Sequence, residues 1–212
     1  VVFAIPEGLS FDTAALVEPT SVAVHAVSRA PVRLGSTAVV VGAGMIGLIT
    51  IQALRAAGCG QIISIDLDND RLATAHEVGA DVVLNARHDD IPKAIGKATN
   101  GIGSDIAMEA VGADATVRMS IDSVRKGGHV TLIGNTTPNI SFPLQSVVTR
   151  EITIYGSCAS ANNYPACLEL MRQGKIQTAP IISLSTPIEQ GPEIFDRLFA
   201  KEPGLTKVIL HP

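Results

Sequence analysis

The 212-residue sequence predicts an α/β protein: a doubly wound, six-stranded parallel sheet, with extra segments at both ends that belong to a second domain. Three observations predict it. Short apolar runs rich in β-branched residues alternate with helical patterns of about ten residues, as in parallel strands joined by helical crossovers. One such run, Val39-Val40-Val41, leads into Gly42-Ala43-Gly44-Met45-Ile46-Gly47, a G-x-G-x-x-G turn that opens an apolar helical pattern. A second run, Ile62-Ile63-Ser64-Ile65, closes on Asp66, nineteen residues after Gly47.

Taken in order, Val1-Val2-Phe3-Ala4-Ile5-Pro6 reads as a strand, followed by a turn at Pro6-Glu7-Gly8. A helix is expected near 11–30, with Ser10 as its N-cap. Strands are expected at about 37–42, 61–66, 82–84, 105–109, 129–134 and 151–156, and helices at about 45–57, 69–78, 90–98 and 113–125. After Gly156 come a helix near 161–173, an apolar run Ile181-Ile182, a helix near 188–200 and a strand Lys207-Val208-Ile209-Leu210. This tail exceeds what a six-stranded sheet needs. It is expected to pack on whatever domain residues 1–10 belong to. The organisation is therefore 1–30 as an end of a second domain with a linking helix, 31–157 as the sheet domain, and 158–212 as a return. The chain opens on Val1 in mid-pattern, which reads as part of a longer protein.

Composition narrows the function. Hydrophobic content of 46% and charged content of 17% suit a globular α/β protein with a substantial core. A net charge of −4 and 3% aromatics argue against nucleic acid and against an anionic membrane surface. No apolar stretch approaches a membrane span and no signal peptide is visible. The three cysteines, Cys59, Cys158 and Cys167, read as reduced thiols of a cytoplasmic protein.

The glycines have separate tasks. Gly42 turns the chain off its strand, Gly44 lets backbone approach a pyrophosphate, and Gly47 lets helix and strand pack closely. Met45 and Ile46 then lie in a first helical turn whose N–H groups and dipole favour phosphate. Asp66 can accept the ribose hydroxyls of NAD and would repel a 2′-phosphate, so NAD is favoured over NADP. A glycine-rich turn with no ligand, or a methyltransferase, shares part of this pattern but accounts for less of it.

Further residues carry a family resemblance. Glu18-Pro19-Thr20-Ser21-Val22-Ala23-Val24-His25-Ala26, Gly79-Ala80-Asp81, Glu109-Ala110-Val111-Gly112 and Gly127-Gly128 together resemble the zinc-dependent medium-chain dehydrogenases. Within them the sequence looks most like the sorbitol (polyol) and threonine dehydrogenase branch. The resemblance implies a Rossmann domain flanked by segments of a GroES-like catalytic domain. It implies NAD as cofactor, zinc in the full-length protein, and an alcohol or polyol as substrate. It makes Glu18 the zinc-site glutamate, either a ligand or a partner of the zinc-bound water, and sets Val22 on the nicotinamide face. Asp66 would hold the adenosine ribose with Arg71 beside it, and Val111 would border the adenosine side of the cleft. The backbones of Ile133 and Ser157, with Ala159, would bind the carboxamide. Ala159 departs from the arginine usual in polyol dehydrogenases. No C-x-x-C or H-E-x-x-H occurs, so a catalytic zinc would need ligands from outside this chain.

Other candidates read more plainly. His25 suits a core helix face, Glu109 a structural hydrogen bond at the end of a buried strand, and Cys158 a small apolar contact. His76, His88, His129 and His211 lack metal-ligand spacing. Arg71, in a first helical turn where an acid would suit the dipole better, favours a ligand contact. Two other functions stay open: a non-catalytic NAD-binding module, and a zinc-independent reductase of the same superfamily. The Tyr-x-x-x-Lys pair of short-chain dehydrogenases is absent. Association as a homodimer or homotetramer is expected through Pro138–Ile154, where Ile140, Phe142, Leu144, Val147 and Val148 lie beside the last strand; a buried connection within one subunit would explain the same residues.

Overall fold

The computed structural model describes residues 2–200 and 202–212. Six parallel strands form its central sheet: β1 (Thr37–Val41), β2 (Gln61–Asp66), β3 (Val82–Asn85), β4 (Ser104–Glu109), β5 (Val124–Leu132) and β6 (Thr153–Gly156). Their order is β3-β2-β1-β4-β5-β6, so the chain reverses direction across the sheet between β1 and β4. That switch point opens a crevice at the strands' C-terminal ends. Val39, Val41, Ile63 and Ile65 face one side, and Val40, Ile62, Ile106 and Met108 the other. Strands buried on both faces need near-continuous apolar runs, which is why β1 and β2 stand out in the sequence.

Helices cover both faces. Two helices, α1 (Phe11–Ala14) and α2 (Val17–Arg29), precede the sheet. They are followed by α3 (Met45–Ala56), α4 (Asn69–Glu77), α5 (Ile91–Ala98), α6 (Asp114–Ser123) and α7 (Leu144–Thr149). On one face α2 and α3 pack with Leu16, Ala23, Leu48, Ile51 and Leu54. On the other, α5 and α6 contribute Ile91, Ile95, Val117 and Ile121. Each fully buried large aliphatic contributes about 1.5–3 kcal/mol.

The return segment holds α8 (Tyr164–Arg172), β7 (Leu184–Pro187), α9 (Gly191–Phe199) and β8 (Val208–His211). Its first part belongs to the main core: Met171, Ile176 and Ile181 join the cluster of α2 and α3. Buried Gln52 of α3 clamps it, donating to the Gln177 carbonyl at 3.0 Å while its Oε1 accepts from the Gln177 amide at 2.6 Å. β7 and β8 then pair in parallel as a separate two-stranded sheet.

Several expectations need correction. Residues 2–6 form no strand, and Val1 lies outside the described residues. The helix expected at 11–30 is two, with Ser10 capping the first through the Thr13 amide. The break has a cause: Pro19 lacks the N–H that a continuous helix would need, and a restart at Val17 places it in a first turn, where none is required. β5 begins at Val124, not near 129, because Val124 already pairs with Ser104 before the register shifts ahead of His129. In the apolar run Ile181-Ile182, Ile181 ends a 3-10 turn, and the strand that follows, β7, was not anticipated.

Burial also sorts the thiols. Cys59 and Cys167 are buried and Cys158 is exposed. Burial pushes the Cys59 and Cys167 thiols up to about 11, which keeps them protonated and inert at neutral pH. The folded chain should therefore titrate as one thiol with a maleimide or a disulfide reagent, and as three after denaturation; two or more fast-reacting thiols in the folded state would contradict this burial.

Candidate functional site: the crevice beyond β1 and β4

The Gly42–Gly47 turn leaves β1 with a left-handed residue: Gly42 has φ +97°. A Cβ there would meet Val111 Cγ2 at 2.6 Å, so this turn and the one after β4 touch. At Gly47 a Cβ would lie 1.8 Å from the Gly42 carbonyl oxygen. The helix therefore starts against the turn, with no room for a side chain. Gly44 differs: nothing of the protein lies within 4 Å of its Cβ position, which faces open space. It is the N-cap of α3, which has no capping side chain and no acid in its first turn. The amides of Met45, Ile46 and Gly47 thus begin a helix whose positive end is open to an anion.

Asp66 closes β2 and holds this turn in place. Its Oδ2 accepts the Ala43 amide at 2.7 Å, and its Oδ1 accepts the Leu67 and Asp68 amides at 2.7 and 3.0 Å. A carboxylate offers about four acceptor positions, so one remains for a ribose hydroxyl, not two, unless an amide is displaced. Arg71 is exposed in the first turn of α4 and lines a cleft of about 330 Å³ with Asp68, Asp70, Thr74 and Glu202.

Across the switch point, Glu109 is fully buried. Its carboxylate accepts the Val111 amide at 3.0 Å and the Gly112 amide at 2.8 Å. It therefore shapes the turn that presents Val111, and its hydrogen bonds are structural. Gly134 completes the arrangement: a Cβ there would lie 2.1 Å from the Gly112 amide nitrogen. The amides of Ile133 and Ser157 are committed, to the Glu109 and Leu132 carbonyls at 2.8 and 3.0 Å. What these two residues can offer a carboxamide is their carbonyls, together with the Ser157 hydroxyl, which is buried without a partner. Such an orphaned hydroxyl fits a polar ligand group, and the open cradle at Gly44 fits a diphosphate.

Glu18 and Val22 lie one turn apart in α2, Glu18 exposed and Val22 half-buried. Glu18 has no metal-binding company: among the described residues, no three His, Cys, Asp or Glu side chains converge so as to hold a metal ion. A zinc site does not fit the residues present.

An uncapped helix start at a glycine turn, an acid closing the next strand and a 3-2-1-4-5-6 sheet are together the arrangement of the dinucleotide-binding fold. Residues 46–173 match the family described as zinc-binding dehydrogenase. The chain belongs to that family. Sorbitol dehydrogenase of Bacillus subtilis (strain 168) is 35% identical over 212 residues, which is 100% of this chain and 60% of the relative. The crystal structure of 2R,3R-butanediol dehydrogenase from Bacillus subtilis superposes with a TM-score of 0.92 at 30% identity, covering 99% of this chain and 60% of that one. A zinc-binding dehydrogenase from Sinorhizobium meliloti 1021, solved bound to NADP, gives 0.89 at 27% identity, covering 99% and 62%. The chain spans about 60% of the length of these relatives.

Sequence reasoning missed three features of this crevice. The tie from Asp66 to Ala43 needs three-dimensional proximity and has no sequence signal. The contact between Gly112 and Gly134 was signalled by a glycine soon after each of two strand ends, three residues past Glu109 and two past Leu132. Asp68 was signalled as well, being an N-capping residue type just ahead of a helical pattern.

Proposed function

We propose that this chain is the nucleotide-binding half of an NAD-dependent dehydrogenase acting on a secondary alcohol or polyol. The observation that carries the reading is the pairing of an uncapped α3 N-terminus, open at Gly44, with the Asp66 carboxylate bonded to the amide of Ala43 beside it. The α3 amides would bind a pyrophosphate, and the remaining acceptor position of Asp66 would take a ribose hydroxyl. Val111 would border the adenosine. The carbonyls of Ile133 and Ser157 and the Ser157 hydroxyl would orient the carboxamide, with Val22 against the ring. NAD, when bound, supplies the hydride-accepting nicotinamide; the chain binds, orients and excludes water.

Zinc, on this reading, takes its ligands from outside these 212 residues, with Glu18 facing that site. The domain division at 30 and 157 belongs to the same proposal. It is supported by apolar side chains left in the open on the terminal segments, Phe3, Ile5, Phe11 and Phe199. The natural gene product should oxidise sorbitol or 2,3-butanediol with NAD. Failure with every secondary alcohol tested, by a protein that still binds NAD, would favour a non-catalytic nucleotide-binding module.

Self-association through the edge strand β6 is part of the reading. Ile140 and Val147 pack inward on the sheet, whereas Phe142, Leu144 and Val148 are exposed beside that edge. The double substitution Leu144→Asp/Val148→Asp should weaken dimerisation at least about tenfold with little change in melting temperature. Sedimentation equilibrium reads this directly; an unchanged assembly would place the interface elsewhere.

A further inference from the structure

The end of the sheet opposite the crevice gathers a second set of charges. Ser36 precedes β1, Asp105 lies at the start of β4, and Arg125 and His129 lie in β5, three strands that are neighbours in the sheet. With Arg33 these residues line a cavity of about 350 Å³. Among the described residues that line it, Asp105 is the one carboxylate, and both of its oxygens are engaged. Its Oδ2 accepts the Thr37 amide at 2.9 Å and its Oδ1 accepts Arg125 Nε at 2.7 Å. Arg125 Nη1 donates to the Lys126 carbonyl at 2.9 Å, which leaves Nη2. The Arg33 guanidinium is exposed and has no partner among the described residues. Its backbone is fixed all the same: Ser36 Oγ accepts the Arg33 amide at 3.1 Å, and the Ser36 amide donates to the Arg33 carbonyl at 3.0 Å. His129 sets Nδ1 at 3.2 Å from the Tyr155 hydroxyl, which leaves Nε2.

The cavity is positive. Burial works to raise the Asp105 carboxyl, yet hydrogen bonds from Arg125 and Thr37 and the charges of Arg125 and Arg33 bring it below its ordinary value. Burial lowers His129, and the charges of Arg125 and Arg33 lower it further, so the imidazole is neutral at neutral pH. Two guanidinium groups thus share one carboxylate in a concave site with N–H donors to spare, the complement of an oxyanion.

We propose that this cavity binds a small tetrahedral dianion, sulfate or phosphate, held by Arg33 and Arg125 with His129 and the Ser36 hydroxyl as further donors. It lies at the other end of the strands from the nucleotide crevice and does not depend on that reading. A bound dianion offsets the two arginines at His129 and favours imidazolium, so affinity rises as pH falls. The groups facing His129 are Arg33 before β1, Asp105 on β4, Arg125 on its own strand and Tyr155 on β6. Of these only His129 changes charge between about pH 5 and 8.

Sulfate is the probe, because it stays a dianion across that range. The natural gene product is titrated calorimetrically at about pH 5.5 and 8 in a chloride background of constant ionic strength. Saturable binding is expected at the lower pH, with a Kd of about 1 mM or below, and about threefold or more weaker at the higher. Inorganic phosphate should displace it. Arg33→Gln breaks no side-chain hydrogen bond among the described residues. It should weaken sulfate about tenfold and leave the melting temperature and NAD affinity unchanged. His129→Gln should abolish the pH dependence. The open start of α3 is a competing anion site, so the series is repeated in Gly44→Ala, where the same sulfate binding should persist. Sulfate binding that is absent from the folded protein, unchanged by Arg33→Gln or lost in Gly44→Ala overturns the proposal. A pH dependence that survives His129→Gln overturns the part assigned to His129.

Discussion

Gly47→Ala will destabilise the fold substantially, whereas Gly44→Ala will leave the fold intact and weaken only ligand binding. The two glycines stand three residues apart in one motif, so the contrast is sharp. A Cβ at Gly47 would sit 1.8 Å from the Gly42 oxygen, about half of a normal contact distance. The obstacle is backbone, which cannot rotate away, and Gly42 is itself pinned by its amide to the Ile65 carbonyl at 2.8 Å. Relief requires α3 to move off β1, and both are core elements. We expect a cost of about 3 kcal/mol or more, a large share of the 5–15 kcal/mol that holds a domain together. That lowers the melting temperature by about 6–12 °C in a chain of this size. At Gly44 nothing beyond the adjoining residues lies within 4 Å of the Cβ position. Its alanine variant should melt within about 2 °C of the parent and bind NAD at least about tenfold more weakly, because the methyl occupies the cradle meant for phosphate. Equal melting temperatures for the two variants would contradict the packing described.

Asp66→Ala will weaken NAD about a hundredfold. The side chain does two things at once. It offers the ribose an acceptor, and through Ala43 it fixes the turn that presents the α3 amides. Loss of a charged hydrogen bond and of turn order each contribute about tenfold. NADP affinity should rise at most about tenfold, since the carboxylates of Asp68 and Asp70 stay beside the turn. Calorimetry on the two nucleotides decides the matter. A variant that prefers NADP outright would mean that Asp66 acts alone.

The parts of the fold legible in the sequence were those with a local cause. β1 and β2 are buried on both faces and must be apolar over most of their length, and the glycine turn must lack side chains where backbone meets backbone. What escaped was set by distant partners or by brevity. α7 spans six residues with no capping side chain, too short for a periodic signal. β7 reads Leu-Ser-Thr-Pro, and only pairing with β8 makes it a strand. The early start of β5 depends on Ser104 lying opposite Val124. In the site, Gly42, Gly44, Gly47 and Asp66 could be named from spacing. Their coupling through Ala43, and the commitment of the Ile133 and Ser157 amides, could not, because hydrogen bonds between strand ends depend on sheet order. The break in the first helix was legible in principle, since Pro19 stands in the middle of the expected span.

The central claim is that NAD lies across the switch point, its diphosphate on the start of α3. Amide chemical-shift mapping of the ¹⁵N-labelled chain during an NAD titration tests it most directly. The account predicts saturable shifts, largest at Gly44, Met45, Ile46 and Gly47, with a second group at Leu67–Asp68 and Val111–Gly112. A folded chain whose spectrum is unmoved by NAD, or whose shifts cluster away from the C-terminal ends of β1, β2 and β4, would contradict it.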